Sequence, residues 1–256
     1  CELATQKALA FAKTRKQGNA KIDNGKGVIL DHPDVRRMII MMKSLTAAVR
    51  ALCLDAALSL DLSKSNDKQL ATKENTRASF LIPIAKAFST EIGCRVADIG
   101  IQVHGGMGYV EETGVAQVLR DVRVTAIYEG TNGIQAIDLI GRKLADSGKA
   151  ANGLIDEIKL TISECYDQTD HQIKEMGAKL SKSLLCLETS LNWMLGQEDF
   201  NERLAGASPF LKAFGLILGG NYLVKAALKT CSLDRKSLAQ SVSYTHLRAH
   251  ETELHL

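Results

Sequence analysis

The chain has 256 residues, 45% of them hydrophobic and 24% charged, with a net charge of +3. This is the composition of a globular protein of one or two domains with a sizeable core. The charge is too mild to imply a nucleic-acid partner, and no apolar run reaches the roughly 18 residues that span a bilayer. Three prolines and 5% aromatics, in a chain rich in Ala, Leu, Lys and Ile, favour helix over sheet. Cys1, Cys53, Cys94, Cys165, Cys186 and Cys231 form no CxxC pair and read as free, buried thiols of a reducing, cytoplasmic compartment. The chain opens on Cys1, in mid-pattern and without an initiator Met, and reads as a fragment whose N-terminal part is missing.

Residues 1 to about 16 are expected to be helical, with a partial apolar face from Leu3, Ala8, Phe11 and Ala12. A loop follows from Asn19 to His32, containing Asn24-Gly25-Lys26-Gly27. Asp31 or Asp34 is a candidate cap for the next helix, with Pro33 in its first turn. That helix runs from about Asp34 to Asp61, since Val35, Met38, Ile39, Met42, Leu45, Val49, Leu52, Ala56 and Leu60 follow steps of three and four. A third helix is expected over about Asp67 to Val103, with a kink or displaced start at Pro83. Short helices are expected over Val115 to Asp121 and about Thr131 to Leu144.

Asp146-Ser147-Gly148-Lys149 reads as a domain boundary, with three further helices beyond it. The clearest spans about 171–195, with Ile173, Met176, Leu180, Leu184, Leu187, Leu191 and Met194 on one stripe. Leu204 to Pro209 reads as a break before a last helix over Phe210 to Leu228. The expected fold is therefore all-α: a helical bundle over 1–146, a second small helical module over 147–240, and a tail over 241–256. The tail holds His246, His250 and His255. It resembles translated sequencing-adapter read-through, so it is taken as non-native and no metal is expected at its i, i+4 histidines.

Two glycine-rich breaks interrupt the helices. The first is Gln102-Val103-His104-Gly105-Gly106-Met107-Gly108-Tyr109, and the second is Ile127-Tyr128-Glu129-Gly130-Thr131-Asn132-Gly133-Ile134-Gln135. A carboxylate among apolar neighbours has its basicity raised by desolvation, which makes Glu129 a candidate general base. It could equally be a first-turn carboxylate ahead of the following helix. The Gln102–Gly108 stretch could cradle a phosphate through backbone N–H groups, or simply be a tight turn between helices. Arg15 could pair with a phosphate or be a solvated surface charge.

These breaks, together with Leu119-Arg120-Asp121-Val122-Arg123 between them, closely resemble the C-terminal domain of the flavin-dependent acyl-CoA dehydrogenases over residues 1 to about 146. Residues from about 150 to 240 resemble the extra helical module of a longer bacterial subfamily. The resemblance implies α,β-dehydrogenation of an acyl-CoA thioester to a trans-2-enoyl-CoA. Glu129 matches the base that removes the α-proton, and Gly130 leaves room for the thioester beside it. FAD is the implied cofactor, with Arg15, Gln17, His32, Gln102, Val103, His104, Gly105, Gly106, Thr131 and Gly133 at matching contact positions. Electron-transfer flavoprotein is the implied electron acceptor, and a homodimer or homotetramer the implied assembly.

Pro33 stands where many members have Gln, and Gly133 replaces a Gln of shorter members. The N-terminal helical domain and the middle β-domain of the family are absent, so the 256-residue chain alone is expected to be inactive. An acyl-CoA oxidase of the same fold is the alternative enzyme. A non-catalytic helical oligomerisation or interaction module, built on the Ile173–Met194 stripe, is the alternative of another class.

Overall fold

The computed structural model describes residues 1–18, 20 and 25–231. The fold is all-α. Among the described residues the only strand-like pairing is an isolated antiparallel bridge between Lys16 and Val28. In chain order the helices are α1 (Glu2–Thr14), α2 (Pro33–Leu62), α3 (Lys68–His104), α4 (Gly106–Tyr109), α5 (Val115–Arg123), α6 (Asn132–Asp138), α7 (Lys149–Tyr166), α8 (His171–Gly196) and α9 (Phe200–Cys231). A π-helical turn over Leu139–Lys143 extends α6. The tail assigned to 241–256 lies outside the described residues.

The described residues form two compact units. Unit 1 takes Cys1–Ala47 and Thr90–Ala126, and unit 2 takes Ala48–Ser89 and the chain from Ile127 onward. In unit 1 the buried side of α1 is Ala4, Thr5, Ala8 and Ala12. Leu3, expected on that face, is 54% exposed. Small side chains recurring every four residues let α1 approach its neighbours closely, so Thr5 Oγ1 and Thr46 Oγ1 meet at 3.2 Å in a buried hydrogen bond. Met42, Leu45, Ile92 and Val96 complete this core. Asp31 does not cap α2. It is buried in a 3-10 turn, and its Oδ2 accepts from the Val28 amide at 3.2 Å. Pro33 opens α2, where a missing N–H costs nothing.

Unit 2 is built on aromatic packing. Phe80 and Phe214 stack edge-on at 5.1 Å, and Phe210 meets Phe214 at 5.8 Å. A Cβ on Gly215 would fall 2.5 Å from the Phe88 ring, so only glycine lets α9 pass that close. The whole stripe from Ile173 to Met194 on α8 is buried. Two expectations are corrected here. Pro209 lies inside an unbroken α9, so Leu204 to Pro209 is helix and not a break, and Cys53 and Cys186, read as buried thiols, are exposed. Pro83 lies inside α3, which runs continuously from Lys68, so the start of that helix is not displaced. A proline inside a helix costs about 3 kcal/mol. On α9, burial of Phe210, Leu211, Phe214, Leu218, Leu223 and Val224 outweighs it.

The hydropathy expectation is also corrected. Phe200–Thr230 is long and apolar enough, at mean hydropathy 1.2, to cross a membrane by length and composition. Of that apolar window, 61% is buried inside the protein, as a core helix would be.

Candidate active site

The Glu129 turn belongs to unit 2. Thr131 caps α6, its Oγ1 accepting from the Ile134 amide at 3.4 Å. Immediately before the cap, Glu129 has φ 55° and Gly130 φ 84°. Gly130 adopts this left-handed region freely, whereas a glutamate does so at a cost of about 1–2 kcal/mol. The turn is braced from outside. Lys86 Nζ donates to the Gly130 carbonyl at 2.7 Å and to Asn132 Oδ1 at 3.0 Å. Asn132 Nδ2 donates to the Ala87 carbonyl at 3.1 Å, and Gln135 Nε2 to the Glu129 carbonyl at 3.2 Å.

The apolar setting expected around Glu129 is absent from the described residues. Glu129 is exposed, and Ile127 and Tyr128 are about half exposed. A sequence neighbour desolvates a carboxylate only when it folds over it, and these two side chains face outward.

The remaining predicted contact positions fall in unit 1, apart from Thr131 and Gly133, which are exposed at the start of α6. Arg15 and Gln17 are exposed just after α1. The His32 ring Nε2 lies 2.9 Å from the Gln17 carbonyl, so His32 and the Gln17 strand are held together. The Arg15 carbonyl accepts from the Ile29 amide at 2.8 Å, fixing the same corner.

The Gln102–Gly106 stretch is less of a loop than the glycines suggest. Gln102, Val103 and His104 form the last turn of α3. Val103 and His104 are buried: the His104 ring stacks on Phe11 at 4.4 Å, with Nδ1 2.7 Å from the Gly100 carbonyl. Gln102, Gly105 and Gly106 are exposed. Gly105 alone breaks the helix, at φ 59°, and a Cβ on Gly105 or Gly106 would touch nothing within 4 Å.

An exposed guanidinium at Arg15 and open backbone at Gly105 and Gly106 fit the anionic, planar character of FAD. The buried His104 ring leaves that residue only its main chain to offer. Sequence reasoning missed Lys86 and Asn132, whose roles depend on contacts between residues 44 to 46 apart, and Gln135, which reaches back six residues to the Glu129 carbonyl.

The described chain is a helical domain with an exposed glutamate in left-handed backbone on a braced turn, and exposed glycines where α3 ends. Residues 1–145 match the acyl-CoA dehydrogenase C-terminal domain family, and residues 154–245 match the family described as acetyl-CoA dehydrogenase C-terminal like. The chain belongs to the acyl-CoA dehydrogenase family.

It is 38% identical over 232 residues to 3-methylmercaptopropionyl-CoA dehydrogenase of Ruegeria pomeroyi, covering 89% of this chain and 39% of that one. Its fold is similar to Caenorhabditis elegans ACDH-11 in complex with C11-CoA, with a TM-score of 0.74, 19% identity, and 97% and 39% of the two chains covered. It is also similar to a Bacillus anthracis acyl-CoA dehydrogenase complexed with FAD, with a TM-score of 0.62, 17% identity, and 99% and 43% covered. The chain thus spans about two fifths of the length of these proteins.

Proposed function

We propose that this chain is the C-terminal part of an FAD-dependent acyl-CoA dehydrogenase, with Glu129 as the base. The observation that carries the reading is the left-handed backbone at Glu129. A non-glycine residue is held in such a conformation only where its surroundings over-determine it, and such residues cluster at functional sites.

In the proposed reaction the Glu129 carboxylate takes the proton α to the thioester carbonyl of an acyl-CoA, leaving a trans-2-enoyl-CoA. FAD, when bound, would supply the two-electron oxidant for the hydride that leaves the β-carbon. Gly130, lacking a side chain, keeps the space beside the carboxylate clear for the thioester. Arg15, Gln17, His32, Gln102, Gly105 and Gly106 are proposed FAD contacts, with Val103 and His104 acting through their main chain. Thr131 and Gly133 are proposed as further contacts. Exposure of Glu129 in this chain accords with a pocket completed by further domains, which would exclude water from the carboxylate and raise its basicity.

Electron-transfer flavoprotein is the proposed acceptor, and a second copy of the enzyme the proposed partner. Residues 147–240 are proposed as an accessory helical module. In the full-length enzyme, Glu129→Gln keeps the shape of the side chain and removes the base. FAD content is expected to stay stoichiometric while turnover falls about 10²- to 10⁴-fold. Turnover near that of the unaltered enzyme would sink the assignment.

A further inference from the structure

We propose that Lys86, on α3, is a positioning residue for Glu129: it clamps the turn that presents the base. The inference rests on Glu129 being the base, and what it adds is the part of the fold that aims it. An ammonium carries three N–H donors and ordinarily spends them on water. Lys86 spends two on the turn, reaching the Gly130 carbonyl at 2.7 Å and Asn132 Oδ1 at 3.0 Å. Asn132 returns the contact one residue further along α3, its Nδ2 donating to the Ala87 carbonyl at 3.1 Å.

The chain of contacts from Lys86 through Gly130 and Asn132 to Ala87 closes on itself. It ties the peptide after Gly130, one residue beyond Glu129, to the long helix α3. On the other side, Gln135 Nε2 holds the Glu129 carbonyl at 3.2 Å. Neither contact is needed to start α6, because Thr131 already supplies the cap.

The clamp has a physical task. The φ of 55° at Glu129 is a conformation that a glutamate leaves when released. A charged donor on a carbonyl is among the stronger hydrogen bonds, and it acts on the residue adjoining the strained one. Without Lys86 the Gly130 carbonyl loses its charged donor, the strained Glu129–Gly130 backbone keeps only the neutral Gln135 contact, and the carboxylate shifts as that backbone relaxes. Proton abstraction needs near-contact geometry, and a displacement of about 1 Å costs on the order of 10²-fold in rate.

The test compares Lys86→Met, Lys86→Arg and Glu129→Gln in the FAD-loaded full-length enzyme. Lys86→Met is expected to lower kcat about 10- to 100-fold, leaving FAD content and the KM for acyl-CoA within about two-fold. Lys86→Arg, which can donate to both oxygens, is expected to restore most of kcat. Amide hydrogen exchange on the 256-residue chain supplies a readout without turnover. In Lys86→Met, exchange over residues 128–133 is expected to rise about ten-fold or more, with α8 unchanged.

Unchanged kcat in Lys86→Met overturns the proposal, and so does unchanged exchange over 128–133. Loss of FAD with no recovery in Lys86→Arg also overturns it, since that marks a general structural role. An active Glu129→Gln removes the base, and positioning falls with it. An inactive Glu129→Gln beside an undisturbed Lys86→Met removes the clamp alone.

Discussion

Cys165 on α7 is fully buried in unit 2. Burial pushes its thiol up from 9.0 to about 11, with a smaller contribution from the Glu164 carboxylate. The neutral thiol is therefore the form the fold accepts. The sign follows from linkage. Below pH 9 the thiol is protonated in folded and unfolded chains alike, and its contribution to stability is complete. As pH rises through 9 and on past the folded value near 11, the unfolded chain loses the proton first, and that contribution is lost. The expected loss is about 2 kcal/mol across this window. Denaturant titrations at pH 8 and 11 measure it, and the difference between the two should shrink in Cys165→Ala. An equal alkaline loss in both proteins would assign the effect to other groups.

At the scale of elements, α2, α3, α7 and α9 meet at one partly buried charge, Arg77. The Arg77 guanidinium donates to Asp55 at 2.8 and 3.0 Å, to Glu157 at 3.0 and 3.1 Å, and to Ser59 Oγ at 2.7 Å. Tyr222 from α9 adds its hydroxyl to Asp55 Oδ2 at 2.5 Å. Burial works against the Arg77 charge, but the hydrogen bonds to Glu157 and Asp55 outweigh it and hold its pKa above the usual value. Burial, then the Asp55 charge, pushes the Tyr222 phenol well above its ordinary range. Each partner here satisfies another, so removal is asymmetric. Arg77→Met leaves Asp55 and Glu157 without their cation and is expected to cost about 3–5 kcal/mol. Tyr222→Phe leaves Asp55 still paired to Arg77 and is expected to cost only about 1 kcal/mol. Chemical denaturation of the two variants checks the ranking, and a larger loss in Tyr222→Phe would contradict it.

Much of this architecture was legible because helices announce themselves through spacing. The α8 stripe, from Ile173 to Met194, is buried as its three- and four-residue steps require. The start of α9 was not legible. Pro209 is a local stop signal, and only contacts with residues distant in sequence, such as Phe80 against Phe214, override it. The same limit applies at the site. Gly130 marks a left-handed turn in any sequence, but nothing in the letters says that Glu129 shares that conformation. Lys86 reads as an ordinary helix-surface lysine until the fold brings it to the turn. His104 shows the converse. Its place beside two glycines does not tell that its ring packs against Phe11 and leaves only the main chain for a contact.

For the molecule as a whole, the family boundary and the packing boundary do not coincide. The two matched families divide between residues 145 and 154, whereas α6 and the helices α7 to α9 lie in one compact unit with Ala48–Ser89. The helices α7 to α9 therefore share one core with Ala48–Ser89 and α6. Phe80, Phe88, Leu139 and Ile140 are nearly or completely buried, and α9 provides Phe214 beside Phe80 and the Gly215 backbone beside Phe88. Arg203 of α9 donates to the Ile140 carbonyl at 3.1 Å, and Glu157 of α7 completes the Arg77 cluster. Cutting the chain after Asp146 removes all of these at once. It exposes several large apolar side chains, each worth about 1.5–3 kcal/mol when buried, and takes Glu157 from Arg77, which keeps only Asp55 and Ser59. A 1–146 chain is expected to keep helical circular dichroism but lose its cooperative thermal transition and bind a hydrophobic dye. The 1–231 chain should melt cooperatively without binding the dye. A 1–146 chain that stays monomeric and melts in one sharp step would show that the dehydrogenase domain closes its own core, and that α7 to α9 lie on it without holding it together.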